Sequence, residues 1–144
     1  MEVEKYFAAG YNGSKRFTQQ DVPTANATGF GAAADDYMER GIDLNEQLIR
    51  NKPATFFMRV TGNSMVNASI HDGDVVIVDR SIKPQSGRIV IAIVDGEMLI
   101  RRLEKTMNRM RLIPETAKLS PIDVSEYSDV SIWGVVTYVI KPMA

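Results

Sequence analysis

The stretch IVIAIVDGEMLIRRL, residues 89–103, decides the fold class of this chain. Two runs rich in Val, Ile and Leu flank Asp95-Gly96, a dipeptide that readily adopts the positive φ angles of a tight two-residue turn. The stretch therefore predicts a β-hairpin with strands at Ile89–Val94 and Glu97–Leu103. Because the first strand is apolar at every position, we expect both of its faces to be buried, as in a folded-over sheet or a barrel.

Four further segments carry strand signals, and turns rather than helices separate them. They are Thr55–Val60, Asp74–Asp79, Arg109–Ile113 and Val130–Ile140. Six such strands indicate a mostly antiparallel β domain. Before Pro53, Asp43 and Glu46 form a capping-box pattern that predicts a short helix over 43–50. Residues 8–34 lack any period, so we interpret 1–42 as an extended N-terminal arm and 43–144 as the folded domain.

Composition excludes several classes of function. The 144 residues carry a net charge of −1, no cysteine and one histidine. Thiolate catalysis, disulfides and multi-histidine metal cages are therefore excluded, and we expect no metal and no cofactor. A net charge this close to zero does not favour nonspecific electrostatic binding of nucleic acid. The longest apolar run is six residues, too short for a membrane span, and the N-terminus lacks a secretory signal, so we predict a cytoplasmic protein.

The candidate chemistry lies in Thr61-Gly62-Asn63-Ser64-Met65, directly after a predicted strand. Glycine allows a sharp turn that presents Ser64 at the end of the sheet, with nearby amides free to bind an oxyanion. On its own the motif is weak, since a serine after Gly-Asn is more often a turn residue than a nucleophile.

The surrounding residues extend this motif into a family pattern. The segment from Ala54 through Asp79 resembles the nucleophile region of the UmuD-type members of the LexA/UmuD family of self-cleaving serine peptidases. The resemblance also covers Gly87–Val90, Asp95–Glu97, Leu112–Pro114, Trp133–Val136, Lys141, Asp36-Tyr37 and Ile42–Asn45. It implies a β-domain of folded-over antiparallel sheets and a role in the DNA-damage (SOS) response. In that family a serine, activated by a neutral lysine, cuts a bond in the protein's own N-terminal arm.

Carried over residue by residue, the family's nucleophile corresponds to Ser64 and its oxyanion donors to the backbone amides of Asn63 and Ser64. The catalytic lysine position holds Arg101. Arginine stays protonated at any relevant pH and cannot act as the base.

The bond to be cut corresponds to Thr28-Gly29, with threonine where alanine or cysteine is usual. Arg101 departs from the family at the position of the base, and Thr28 departs from it at the bond to be cut. We therefore predict impaired self-cleavage, and natural divergence explains both departures better than one laboratory substitution would.

The resemblance further implies that the chain forms a homodimer and that a RecA filament stimulates its self-cleavage. It also implies that the dimer acts as an accessory subunit of a UmuC-like error-prone polymerase. Residues 1–42 lack the helices of a DNA reader, so we expect no direct sequence-specific DNA binding. We interpret the basic residues at 101, 102, 105, 109 and 111 as a solvated face, His71 as a turn residue, and Trp133 as core or dimer interface. Two alternatives stay open: a working self-peptidase with a substitute base, or the C-terminal portion of a LexA-type repressor.

Overall fold

The computed structural model of the chain describes residues 2–7 and 43–143. Within these ranges eight strands form one sheet in the order β1-β2-β3-β8-β4-β5-β6-β7, and all neighbouring strands are antiparallel. The strands are β1 (Val3–Phe7), β2 (Thr55–Val60), β3 (Val75–Asp79), β4 (Ile89–Val94), β5 (Glu97–Lys105), β6 (Met110–Ile113), β7 (Ile122–Asp123) and β8 (Val130–Ile140). The predicted mostly β fold is confirmed.

All six predicted strands are present, and two others were not predicted. Strand β7 has two residues, too few to leave a pattern. Strand β1 has five residues, of which Glu4 and Lys5 are charged, so its sequence carries little strand signal. Pairing with β2 rather than local propensity makes β1 a strand, in a register that places Val3 opposite Val60.

The predicted helix is present as α1 (Leu44–Leu48), and the Asp43 carboxylate caps it by accepting a 2.9 Å hydrogen bond from the Asn45 N–H. Short 3₁₀ helices span Lys52–Ala54, Val66–Ala68 and Val124–Glu126. The chain divides into two units, one holding the eight strands and the other holding α1. Most of the predicted arm, residues 8–42, lies outside the described residues, so the boundary at 42 stays a prediction.

The β4–β5 hairpin forms as predicted. Its turn residues Asp95 and Gly96 have φ angles of 46° and 86°, and the register runs from Val94 opposite Glu97 to Ile89 opposite Arg102. Apolar side chains cover both faces of β4, because Ile91 joins one core cluster while its neighbours Val90 and Ala92 join the other.

The first cluster contains Val3, Met58, Val60, Met65, Ile70, Val76, Val78, Ile91 and Ile100. The second contains Val90, Ala92, Val94, Leu99, Leu103, Leu112 and Val135. The two-sided burial expected of a folded-over sheet is therefore present.

The sheet curls so that the residue before β1 reaches β5, which is five positions away in the strand order. The Glu2 N–H donates to the Met98 carbonyl of β5 over 3.0 Å, and the Glu2 carbonyl accepts from the Thr61 N–H over 2.6 Å. Glu2 thus joins β5 to the end of β2, immediately before the Gly62-Asn63-Ser64 loop. The curl therefore brings Glu2, β5 and this loop next to one another.

Trp133 packs inside this fold. Its ring meets Phe56 edge to face at 4.8 Å between ring centroids, and the Arg80 guanidinium lies 4.5 Å from the Trp133 ring centroid. The side chain also contacts the first core cluster, so the core interpretation holds for this residue. None of the helices in the described ranges has the length and apolar character that crossing a membrane requires.

Candidate active site

The loop after β2 is built around a glycine turn. Gly62 has a φ of +84°, a conformation that glycine adopts without strain. Its N–H donates to the Asp72 carboxylate over 2.8 Å, and the Asp72 N–H lies 3.5 Å from the Asn63 side-chain oxygen. These contacts hold the loop against the Asp72-Gly73 turn, which leads into β3. Met65, the residue after Ser64, is buried in the first core cluster.

Ser64 is buried, with 5% of its surface exposed. Its Oγ has no hydrogen-bond partner in the described part of the chain. Over the same residues, the backbone N–H groups of Asn63 and Ser64 donate no hydrogen bond. A buried hydroxyl without a hydrogen-bond partner among the described residues is unusual in a folded core, where polar groups are normally paired. The arrangement fits a nucleophile beside an oxyanion site, and these roles stay predictions.

Arg101 lies on β5 opposite Val90 and is 6% exposed. Its Nη1 donates to the Glu2 carboxylate, 2.7 Å from Oε2, and to the Ile100 carbonyl over 2.8 Å. Its Nε is buried and, within the described ranges, has no partner. Because Ser64 Oγ is also unpaired, Arg101 and Ser64 share no hydrogen bond. The guanidinium is engaged by Glu2 instead.

Sequence reasoning missed Glu2, which completes the site from the N-terminal strand. Its carboxylate faces Arg101, and the residue lines a cleft of about 370 Å³ that also contains Ser64. The other lining residues are Thr61, Gly62, Asn63, Thr116, Lys118 and Leu119. Two charged residues, Glu2 and Lys118, therefore line the same cleft as the serine. No spacing signal could reveal Glu2, since the ion pair joins residues 99 positions apart.

Arg102 and Glu115 support the Ser64 loop and were also missed. Arg102 Nε donates to the Glu115 carboxylate over 2.5 Å, and its Nη1 donates to the Gly87 carbonyl over 2.7 Å. The Glu115 backbone brackets the loop, because its N–H donates to the Ser64 carbonyl and its carbonyl accepts from the Asn67 N–H, each over 2.9 Å. The two neighbouring arginines thus act on different parts of the site.

His71 is exposed and belongs to a second polar cluster. Lys141 contacts the buried Asp74 carboxylate, and its Nζ lies 2.9 Å from His71 Nδ1. Burial opposes ionisation of Asp74, but hydrogen bonds from Lys141 and from the His71 N–H outweigh it and lower the pKa of Asp74. No group of three or more potential metal ligands occurs among the described residues. The predicted cut site, Thr28 and Gly29, lies outside them.

Comparisons with known proteins bear on the origin of this site. A family model described as Peptidase S24-like matches residues 22–137. Protein ImpA of Salmonella typhimurium is 44% identical over 113 residues, covering 78% of this chain and 76% of that protein. Protein SamA of Salmonella typhimurium strain LT2 is 42% identical over 110 residues, covering 76% of this chain and 75% of that protein.

A more distant similarity is to a repressor. LexA repressor 1 of Xanthomonas axonopodis pv. citri is 38% identical over 115 residues, covering 80% of this chain but 57% of that repressor. The family model spans both the Ser64 loop and most of the sheet that carries it. The chain therefore belongs to the Peptidase S24-like family, as a UmuD-like member of the LexA/UmuD group of serine peptidases.

Proposed function

We propose that this chain is a UmuD-like regulatory subunit of an error-prone translesion DNA polymerase in the SOS response, and that Arg101 impairs its RecA-stimulated self-cleavage. Membership of the family supports the regulatory role. The proposal of impaired self-cleavage is supported by the contacts of Arg101, whose guanidinium is buried and bound to Glu2.

The chemistry of acyl transfer explains why this contact matters. A serine hydroxyl becomes nucleophilic when a base takes its proton, and a lysine serves only while it is neutral. Arg101 has no neutral form at physiological pH, so the Ser64 proton has no acceptor at the usual position. The proposed attack of Ser64 Oγ on the carbonyl of Thr28 would therefore begin with a protonated, weak nucleophile. The backbone amides of Asn63 and Ser64 could stabilise an oxyanion but could not replace the base.

A free sheet edge supports the proposed homodimer. Strand β8 pairs with β3 along Val135–Ile140, but its pairing with β4 covers only Val130–Val135. Within the described residues, the last five positions of β8 thus have one unpaired edge. Tyr138, Val139 and Ile140 are exposed there at 40%, 37% and 43%. An open edge that carries apolar side chains is a ready site for strand pairing with a second copy.

The basic residues near β5 and β6 do not favour direct DNA binding. Three of the four arginines in this cluster pair with carboxylates on the surface: Arg102 with Glu115, Arg109 with Asp123, and Arg111 with Glu104. The fourth, Arg101, is buried. Paired charges release few counterions from a phosphate backbone. A LexA-type repressor fragment is the weaker alternative, because the identity to LexA repressor 1 (38%) is lower than the identity to ImpA (44%).

Complex formation with a purified UmuC-like polymerase tests the regulatory role. We expect the full chain to co-elute with the polymerase, and the Ser64→Ala variant to co-elute equally, because binding rather than hydrolysis is the proposed activity. Failure of both to bind would contradict the proposal. Binding by the unmodified chain alone would show that the function depends on Ser64 chemistry.

A second candidate function is a working self-peptidase with Lys118 as the substitute base. The observation that favours it is that Lys118 and Ser64 line the same cleft. Against it, Lys118 is exposed, and a lysine in solvent is mostly protonated at neutral pH. Intact-mass analysis separates the two functions. A fragment ending at Thr28 that disappears in Lys118→Gln, but persists in Lys105→Gln, would favour the peptidase.

A further inference from the structure

We propose that Glu2 is a positioning residue that holds any cation at position 101 in its charged form, and so provides a second block on Ser64 beside the loss of the lysine. The inference rests on the proposed function, since it concerns the reaction that Arg101 impairs. It makes the N-terminal strand β1 part of the control of this site.

The backbone fixes the position of the Glu2 carboxylate. Its N–H donates to the Met98 carbonyl and its carbonyl accepts from the Thr61 N–H, over 3.0 Å and 2.6 Å. The next residue, Val3, is fully buried in the first core cluster. These contacts hold the Glu2 backbone beside β5, and from there its carboxylate binds Arg101. A lysine at position 101 would therefore have the same carboxylate within reach.

The electrostatics of the pair favour a charged partner. The side chains of Glu2 and Arg101 are 20% and 7% exposed, so water screens the pair only weakly. An opposite charge at hydrogen-bond distance stabilises the protonated form of an amine and raises its pKa by about one to three units. A lysine at this position would face the same carboxylate. It would then be protonated near neutral pH and unable to accept the Ser64 proton.

The other charged groups around the site do not cancel this effect. Of the charged side chains in the described residues, Glu2 and Lys118 line the cleft, and Glu2 is the one that contacts Arg101. Lys118 would favour a neutral amine by repulsion, but its exposure to solvent weakens that influence. Strand β4 presents the apolar Val90 opposite position 101. The balance at this position is therefore set by Glu2.

The exchange of arginine for lysine should consequently restore little activity by itself. The double variant Arg101→Lys/Glu2→Gln should restore much more, because glutamine keeps the size of the side chain and removes its charge. Each unit by which the amine pKa falls raises its neutral fraction tenfold at pH values below that pKa. We expect Ser64 in the double variant to react at least about tenfold faster at neutral pH than in the single variant.

The test measures labelling of Ser64 by a fluorophosphonate probe with intact-mass detection, across pH 6–10, using the full chain. In this reaction Ser64 Oγ bonds to phosphorus, fluoride leaves, and the hydroxyl proton passes to the neutral amine. The matched control is Arg101→Lys/Glu4→Gln, since Glu4 is only two residues from Glu2 but is exposed and lines no part of the cleft. Ser64→Ala controls for labelling elsewhere, and Arg101→Lys/Glu2→Ala serves if the glutamine variant fails to fold.

The expected result is fast labelling in the double variant with its pH midpoint lowered by about one unit or more, and slow labelling in the single variant and the Glu4 control. Equal rates and pH profiles in the single and double variants would overturn the role of Glu2 and leave the block by Arg101 standing. No labelling in the double variant at any pH would also overturn it. Labelling of the unmodified chain as fast as that of the double variant would instead contradict the proposed function, because Arg101 would then not impair Ser64.

Discussion

The backbone N–H of Glu115 donates a hydrogen bond to the backbone carbonyl of Ser64 over 2.9 Å, and so joins the loop after β6 to the loop after β2. The Glu115 carboxylate is in turn held by Arg102, which also binds the Gly87 carbonyl. The position of the candidate nucleophile thus depends on a chain of contacts that begins on β5. Arg102 acts on the Ser64 loop through Glu115, whereas Arg101 is bound to Glu2.

Removal of Arg102 should loosen this connection. We expect Arg102→Ala to speed exchange of the Glu115 amide hydrogen, because the carboxylate that orients the loop loses its partner. The cost to the free energy of unfolding should be about 1 kcal/mol or less, since the pair is partly exposed. Hydrogen exchange followed by NMR measures the effect.

The control is Arg111→Ala, which breaks an ion pair with Glu104 between β5 and β6 but does not touch the Arg102–Glu115 pair. Unchanged protection of the Glu115 amide in Arg102→Ala would show that the Ser64 loop does not depend on this contact.

The free edge of β8 predicts that charge at its exposed positions prevents dimer formation. Tyr138→Glu and Ile140→Glu should each shift the chain from a dimer toward its monomer mass of 16.0 kDa. A carboxylate at an apolar interface must be desolvated without a partner, which is costly. Light scattering after size exclusion measures the mass. Met107→Glu is the control, because Met107 is fully exposed in the turn between β5 and β6 and is not part of β8. A dimer that survives both β8 substitutions would place the interface elsewhere.

Asp74 predicts a specific dependence of stability on pH. Its pKa in the folded chain lies below the ordinary value of 3.8, so the Asp74–Lys141 contact stabilises the fold fully above that value. This stabilisation is lost as pH falls through the folded-state pKa. Asp74→Asn should therefore lower the free energy of unfolding by about 1–3 kcal/mol at neutral pH. The difference from the unmodified chain should shrink toward zero in strong acid.

Urea unfolding at several pH values measures this difference. The control is Asp129→Asn, a change at an exposed aspartate whose side chain has no hydrogen bond among the described residues. A difference that is constant over the whole pH range would mean that the charge of Asp74 does not contribute.

The parts of the fold that sequence could predict are those specified by neighbouring residues. Asp95-Gly96 determines its hairpin locally, and the burial of β4 on both faces follows from an uninterrupted apolar run. Asp43 caps α1 through a contact two residues away. The place of Ser64 in a glycine turn after a strand was predictable because these residues are adjacent in the chain, whereas its role as nucleophile stays a prediction from the family resemblance.

The missed features depend on contacts between distant residues. Strand β1 is too short and too charged to be identified alone, and it exists because β2 offers an edge and the core accepts Val3. The pairing of Glu2 with Arg101 requires the curl of the whole sheet. Sequence reasoning identified Arg101 as an unsuitable base but could not identify its partner.

We predict that Arg101 leaves Ser64 without a base and so keeps the chain uncut. Intact-mass analysis of the unmodified chain, incubated at neutral pH with an activated RecA filament beside its Ser64→Ala variant, tests this prediction. Both proteins should keep their full mass over a time in which a UmuD protein with the lysine is cut. A fragment ending at Thr28 that accumulates from the unmodified chain at a comparable rate, and is absent from Ser64→Ala, would contradict it.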